Sequence, residues 1–559
     1  MGEREGAPAP ELTVRALITG SALGALLAAA NVYTGLKTAS IDGGNITASV
    51  LSVALFSGAR RKFGPLENNL TQTIAASAAV MASTVGVLGP IPALALSGFA
   101  ASPWLLVAWG LALGVLGVMV AVILRPQLIS ADGLPFPTGL ATAEVIEAMA
   151  SGAGNALRKA WSLLVAALFA GVFGWLRDGP GWIPQALLLP GALLGAPLAV
   201  LSVGLSLSPL LLATGLLIGA RAAGAMLLGS AVAWCGLAPW LLRTGVASDA
   251  DHARDWLVWP GAAMMLAGSL TSLALEWRAI QRGVRDLRKF QSRGNRSFQL
   301  LAAACVIATV AVARWAFQLG PLLTLASLVL ALVLSGVCAR SAGETDIAPV
   351  GAMGTVGQLA LGGNGTVASL SAGSLVSGVA THTAQTLWAF KTGERLGATE
   401  KAQMLGAFVG AGIGALVVVP SYAVIARVYG IGSEKMPAPG VMSWKATADA
   451  VQGGFSTLPP YAASAALLGL ALGFVFTLLA RTRWSRFVIS PVAIGIGFLT
   501  PFAMAATAFV GGLLLLSIAK RWPAWCEEHV SSLAGGAIAG ESLFAVVLAA
   551  LIAAGVIAS

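Results

Sequence analysis

The chain of 559 residues is 57% hydrophobic and 10% charged, and 33 basic against 23 acidic residues leave a formal net charge of +10. Soluble globular domains carry about 25% charged residues, so this composition excludes a chain of soluble domains and points to an all-α polytopic membrane protein. At about 20 apolar residues per crossing, with short loops, there is room for about sixteen transmembrane helices in two halves and for no large extramembrane domain.

In chain order, a polar tail (1–13) precedes a first transmembrane half (14–276). A basic loop (277–297) and a second transmembrane half (298–559) follow. Clear apolar runs lie at 14–36, 68–97, 103–124, 159–177, 200–218, 222–243 and 256–276, then at 298–317, 321–339, 403–427, 459–480 and 534–557. The stretches 40–57, 181–199, 365–390 and 487–519 are ambiguous, and Thr500-Pro501 interrupts the last. Basic residues gather between runs, at Arg60-Arg61-Lys62, along 278–296, at Arg481/Arg483/Arg486 and at Lys520-Arg521. The positive-inside rule reads these as cytoplasmic loops rather than as a nucleic-acid surface. Cys235, Cys305, Cys338 and Cys526 form no C-x-x-C pair, so no zinc or redox centre is expected. No cofactor is expected either, and the absence of a G-x-x-x-x-G-K-[ST] loop leaves an ion gradient as the energy source.

Six stretches spoil the hydropathy: 31–45, 66–73, 131–148, 341–354, 381–394 and 490–502. Each mixes Gly or Pro with hydrogen-bonding side chains beside strongly apolar sequence. Non-helical backbone within a membrane is tolerated only when buried in protein or lining a water-filled cavity, and broken helices of this kind surround substrate in secondary transporters. Substrate-binding candidates are therefore Asn31, Tyr33, Lys37, Thr38, Asn68, Gln72, Thr73, Thr345, Gln385 and Lys391. Either lysine suits a substrate carboxylate, or else snorkels to headgroups. Desolvation favours the neutral form of an acid, as proton coupling requires. Glu67 and Asp346 are the leading coupling candidates because no cation adjoins them in sequence, and Glu144, Glu344 and His382 follow. Asp346 or Thr345 is also suited to cap a re-entrant helix that starts at Ile347-Ala348-Pro349. Asp249-x-Asp251-His252-x-x-Asp255 imitates a metal site, but it occupies a short loop where hydrated charge costs nothing.

The stretches NVYTGLKT, ENNLTQTIAASA, FPTGLATAEVIEA, SPLLLATGLLIGARAAGAMLLGSAVAW, ARSAGETDIAPVGAMG, FKTG, MPAPG and AGGAIAGESL together resemble the oligopeptide transporter family, which includes the yellow-stripe-like carriers of metal chelates. They run from residue 31 to 542, nearly the whole chain. The resemblance implies proton-coupled uptake of small peptides, thiol peptides or metal chelates across a cytoplasmic (inner) membrane, closest to the prokaryotic branch. The family often carries an acid before FKTG, where this chain has Leu387-Trp388-Ala389-Phe390, so no coupling role transfers to that position. The expected partners are a small-molecule substrate, protons and the lipid bilayer, with no nucleic acid; a homo-oligomer is left open. The competing readings are a membrane-embedded enzyme using the Asp249–Asp255 loop and an ion channel.

Overall fold

The computed structural model describes residues 11–56, 63–150, 155–275, 277–278, 281–282, 296–453, 458–483 and 488–557. Arg60-Arg61-Lys62, Arg486 and most of the basic loop lie outside the described residues. Twelve described helical segments are long and apolar enough to cross a membrane. The remaining helices are shorter or broken, so a count of sixteen crossings stays an expectation.

The breaks have local causes. Helix α1 (Val14–Thr38) is capped by the Thr13 hydroxyl, which accepts from Ala16 N at 3.2 Å, and it ends on Ala39 at φ 57°. The Asp42-Gly43-Gly44 turn leads into α2 (Asn45–Phe56). The predicted run 68–97 is three pieces: α3 (Pro65–Ala79), α4 (Met81–Val85) and α5 (Pro90–Leu96). Gly86 at φ 88° stops the second, and Pro90 opens the third at a first-turn position, where its missing N–H costs nothing. Then come α6 (Pro103–Arg125), a π-helical turn (Pro126–Ala131), α7 (Pro137–Ala150) and α8 (Asn155–Asp178).

The ambiguous run 181–199 is not a helix. Pro184, Pro190 and Pro197, with Gly191 and Gly195, divide it into strands β1 (Ala186–Leu188), β2 (Ala192–Leu193) and β3 (Ala196–Pro197). Strand β1 pairs antiparallel with β4 (Gly204–Ser206), Ala186 opposite Ser206, and β2 pairs with β3.

The expected spans 200–218 and 222–243 form one helical segment, Pro209–Thr244, made of α9 (Pro209–Ala231), a second π turn (Val232–Leu237) and α10 (Ala238–Thr244). Gly219, at φ 78° and ψ 164°, breaks α9 in a conformation open essentially to glycine alone. The chain folds back there, and both limbs lie on one later helix. A Cβ on Gly511 would meet Gly215 Cα at 3.2 Å, and one on Gly224 would meet the Phe509 ring at 3.2 Å.

The described chain continues through α11 (Ala250–Leu275), α12 (Arg296–Phe317), α13 (Pro321–Thr345), α14 (Val350–Leu361), α15 (Thr366–Leu396) and α16 (Glu400–Tyr429). It closes with α17 (Pro439–Gly453), α18 (Ala462–Leu479), α19 (Pro491–Phe498), α20 (Phe502–Arg521) and α21 (Pro523–Ala553). The expected interruption at Thr500-Pro501 separates α19 from α20. Helix α15 is buried along nearly its whole length among α3, α6, α7, α13, α14 and α16. Its Ser, Thr, Ala and Gly content allows that close approach, as small residues do wherever helices meet inside a membrane. Helices from either side of the basic loop pack in pairs: α3 on α16, α8 on α21, α9 on α20 and α11 on α18.

Candidate functional site

Three breaks meet around α15. The α1–α2 turn, the α3–α4 junction and the α13–α14 link bound a cavity of about 580 Å³, whose polar wall is Asp42, Asn45, Ser83, Thr138, Thr381 and Gln385, with Trp388 beside them. A second cavity, of about 250 Å³, shares Ala39, Ile41, Ser83 and Val350 with the first and extends to Gln358, Ser377, Ser443 and Trp444. A third, of about 290 Å³, shares Ile41, Asp42, Gly43 and Ile46 and reaches Asn31, Thr34, Thr214 and Ser532. The three therefore adjoin one another across common walls of irregular backbone.

Behind the central cavity runs a relay of buried amides. Gln385 Nε2 donates to Asn45 Oδ1 at 2.7 Å, Asn45 Nδ2 to Gln72 Oε1 at 3.1 Å, and Gln72 Nε2 to Asn69 Oδ1 at 3.0 Å and Thr73 Oγ1 at 3.2 Å. Asn68 sits beside it, accepting from Ser52 Oγ at 3.0 Å and donating to Ser49 O at 3.3 Å. Asn31 Nδ2 donates to the Asp42 carbonyl at 2.8 Å and to Ala79 O at 2.9 Å, pinning the α1–α2 turn to the end of α3.

Tyr33 and Lys37 belong to a different centre. Lys37 Nζ donates to Tyr33 OH at 2.9 Å and lies 3.6 Å from Glu541. Glu541, buried in α21, also accepts from Arg177 Nη2 at 2.9 Å, Ser208 Oγ at 2.8 Å and the Leu210 backbone N–H at 2.7 Å. Arg177 in turn holds Asp178 through two bonds, of 2.6 and 2.7 Å. Two cations and two anions thus close on one another, and the carboxylate of Glu541 sits at the N-terminus of α9, where helix amides favour negative charge.

The other expected residues are dispersed. Thr38 Oγ1 donates to Thr34 O at 2.8 Å and Thr345 Oγ1 to Ser341 O at 2.9 Å, each within its own helix. Lys391 pairs with Glu394 at 2.7 Å, outside the cavity walls. Glu67 has no cation beside it in sequence, but Arg15 of α1 reaches it at 2.7 Å. Asp346 does not start a re-entrant helix. It ends α13 at φ 63°, and its carboxylate accepts from Thr138 N at 3.0 Å and Thr138 Oγ1 at 2.7 Å, capping α7 from another helix. Helix α14 starts at Val350, one residue past the expected Ile347–Pro349. Glu344 pairs with Arg340 and Arg282, both at 2.9 Å, and Glu144 is exposed. His382 is fully buried between Ser77 (3.1 Å) and Thr84 (3.2 Å) and lines none of the three cavities.

In the Asp249–Asp255 stretch, Asp249 faces the exposed His252 at 2.9 Å and Asp251 pairs with Arg254 at 2.6 Å. The backbone N–H and then the side chain of His252 hold Asp249 down to about 2. Among the described residues no group of three or more His, Cys, Asp or Glu side chains is arranged to hold a metal ion.

Sequence reasoning missed Glu541, Arg177, Asp178, Asp42 and Asn45. Glu541 carried a signal, as the lone acid within the apolar run 534–557, and an ionisable residue there marks function or a partner by default.

A helical membrane protein whose helix breaks converge on connected polar cavities has the build of a solute carrier. The chain belongs to the OPT oligopeptide transporter family, whose model matches residues 11–552. It is 26% identical over 604 positions to a candidate oligopeptide transporter of Haemophilus influenzae, covering 94% of this chain and 93% of that one. It is 22% identical over 710 positions to a candidate oligopeptide transporter of Saccharomyces cerevisiae, covering 96% and 95%. A shorter likeness, 25% over 186 positions, links 32% of the chain to 27% of the iron-phytosiderophore transporter yellow stripe 1 of Zea mays.

Proposed function

We propose that this protein is a proton-coupled carrier that moves small peptides or peptide-like metal chelates across the cytoplasmic membrane. The observation that carries the reading is the set of adjoining cavities at three helix breaks, walled mainly by neutral hydrogen-bonding groups with the single carboxylate of Asp42 among them. Amide and hydroxyl side chains beside open backbone match the alternating donors and acceptors of a peptide. The names borne by the relatives point to the same substrates.

One end of the molecule gathers the ion pairs Arg15–Glu67, Arg125–Glu400, Arg340–Asp132 and Arg395–Glu147. We assign it to the cytoplasm, because Glu67 follows the Arg60-Arg61-Lys62 cluster and positive charge favours that side.

Asp346 is our coupling acid. Its carboxylate caps α7 through Thr138, and Thr138 lines the central cavity. Protonation removes an acceptor from the α7 cap and frees the Thr138 hydroxyl, so proton binding and cavity shape are linked, and linkage is reciprocal. The test is uptake of labelled trialanine into proteoliposomes. Wild-type protein should accumulate it when the lumen is alkaline and exchange it at equal pH. Asp346→Asn should lose gradient-driven accumulation at least about tenfold and keep exchange. Loss of both would make Asp346 a structural or binding residue. Wild-type uptake indifferent to the gradient would remove proton coupling altogether.

A further inference from the structure

We infer that the central cavity holds a primary ammonium group of the substrate between the Asp42 carboxylate and the side-chain carbonyl of Gln385. This rests on the carrier reading above and names the chemistry of that same site.

The amide relay has a direction, and a hydroxyl fixes it. Thr73 Oγ1 gives its hydrogen to Asn69 O at 2.8 Å, so towards Gln72 it accepts, and the group facing it must be the Gln72 NH₂. Gln72 then turns its carbonyl to Asn45. Asn45 answers with its NH₂ and turns its own carbonyl to Gln385, which must offer NH₂ in return. The donors of three amides are thereby directed inward along the relay, and the carbonyl of Gln385 is what remains for the cavity. It points at the α1–α2 turn: a Cβ placed on Gly43 would lie 3.5 Å from Gln385 Oε1 and 3.4 Å from Asn45 Oδ1.

The residue before Gly43 supplies the charge. Asp42 lines both the central cavity and the third one, and among the described residues that wall the three cavities taken together it is the one ionisable side chain. Its Oδ1 accepts from Gly44 N at 2.9 Å and its Oδ2 from Thr47 Oγ1 at 2.7 Å. A carboxylate has about four acceptor positions, so each oxygen keeps capacity for a further donor. Asn31 clamps the Asp42 backbone at both its N–H (3.1 Å) and its carbonyl (2.8 Å), which fixes the carboxylate before any ligand arrives. Among the described residues no Lys, Arg or His pairs with it, whereas Glu541 and Glu67 both have such a partner. A wall offering a carboxylate with no cationic partner and an amide carbonyl, with one N–H of Gln385 and one of Asn45 committed to the relay, fits a group with several donors and a positive charge. The terminal amine of a peptide is such a group; a substrate carboxylate is not.

The experiment is competition against labelled trialanine uptake in proteoliposomes, with unlabelled trialanine and N-acetyl-trialanine as competitors. These share the carboxylate and differ in the charged amine. Wild-type protein should favour the free amine about tenfold or more, as a charge-assisted hydrogen bond implies. Asp42→Asn should erase that preference, and Gln385→Met should reduce it. Equal inhibition by the two peptides in wild-type protein overturns the inference and leaves the carrier reading standing. So does an Asp42→Asn protein that keeps the amine preference but loses gradient-driven uptake, because Asp42 would then serve coupling. If wild-type protein carries no trialanine at all, the peptide reading and this inference fall together. Should Asp42→Asn not fold, the wild-type comparison and Gln385→Met still decide: an undiminished preference in Gln385→Met overturns the site.

Discussion

Helix α1 feeds two polar centres of opposite character. Asn31 and Tyr33 are two positions apart, about 200° around a helix, and they face different worlds. On one side Asn31 joins the Asp42 turn and the amide relay, where neutral amides and one carboxylate without a cationic partner among the described residues border open space. On the other side Tyr33 and Lys37 join Arg177, Asp178 and Glu541, where four charges, all but Asp178 buried, lie against one another. The relay leaves acceptors unspent at its cavity end; the ionic knot consumes its charges internally. Polarity inside a membrane protein can thus be kept available for a solute or spent on holding helices together, and the two uses are told apart by what is left over.

Removing one member of the knot should have the largest effect. Glu541→Gln leaves Arg177 and Lys37 buried without their shared carboxylate, and breaking a buried pair from one side costs about 3–5 kcal/mol. A large fall in unfolding temperature followed by tryptophan fluorescence is expected, with partial recovery when Lys37→Met is added. A stable Glu541→Gln protein would abolish the distinction between the two centres. In the relay, Asn45→Ala should act on transport instead. Trialanine uptake should drop about tenfold, while the stability cost stays near 1 kcal/mol because water in the cavity can serve the two orphaned amides. If Asn45→Ala unfolds as readily as Glu541→Gln, the relay is structural. Ser208→Ala tests the knot more gently, removing one Glu541 donor and the side-chain cap of α9, at a cost of about 1 kcal/mol. The smallest effect belongs to the exposed Asp249. Its lowered pKa means that its bond to His252 is fully present above the ordinary carboxylate value and is lost as pH falls towards about 2. Asp249→Asn should therefore leave uptake unchanged at neutral pH, and a loss would revive the loop as a working site.

Sequence alone marked which stretches border the cavities, because polar residues with Gly and Pro among apolar runs can be paid for only by a cavity or a partner. The stretches 31–45, 131–148, 341–354 and 381–394 all contribute to the cavity wall, and 66–73 supplies the relay behind it. It did not sort the residues within those stretches. Lys37 reads as a substrate ligand until Glu541 stands beside it, and Asn45 acquires its meaning from Gln385, 340 residues away. Glu67 looked solitary because Arg15 reaches it across 52 residues. Periodicity also cannot see a reversal: the apolar pattern runs on through Gly219, where a single backbone conformation turns the chain around.

The knot also orders events during synthesis. Arg177 is made 364 residues before its partner Glu541, which at about 5–20 residues per second is an interval of roughly 20–70 s. Throughout that interval a guanidinium must reside in or near the bilayer without the carboxylate it is destined for. Asp178, its immediate neighbour, offers a substitute as soon as the two leave the ribosome, and it keeps its bonds in the finished protein. Arrival of α21 then exchanges a provisional local pair for the completed four-charge centre, which makes the closing of the knot a late checkpoint on whether the whole chain has been inserted.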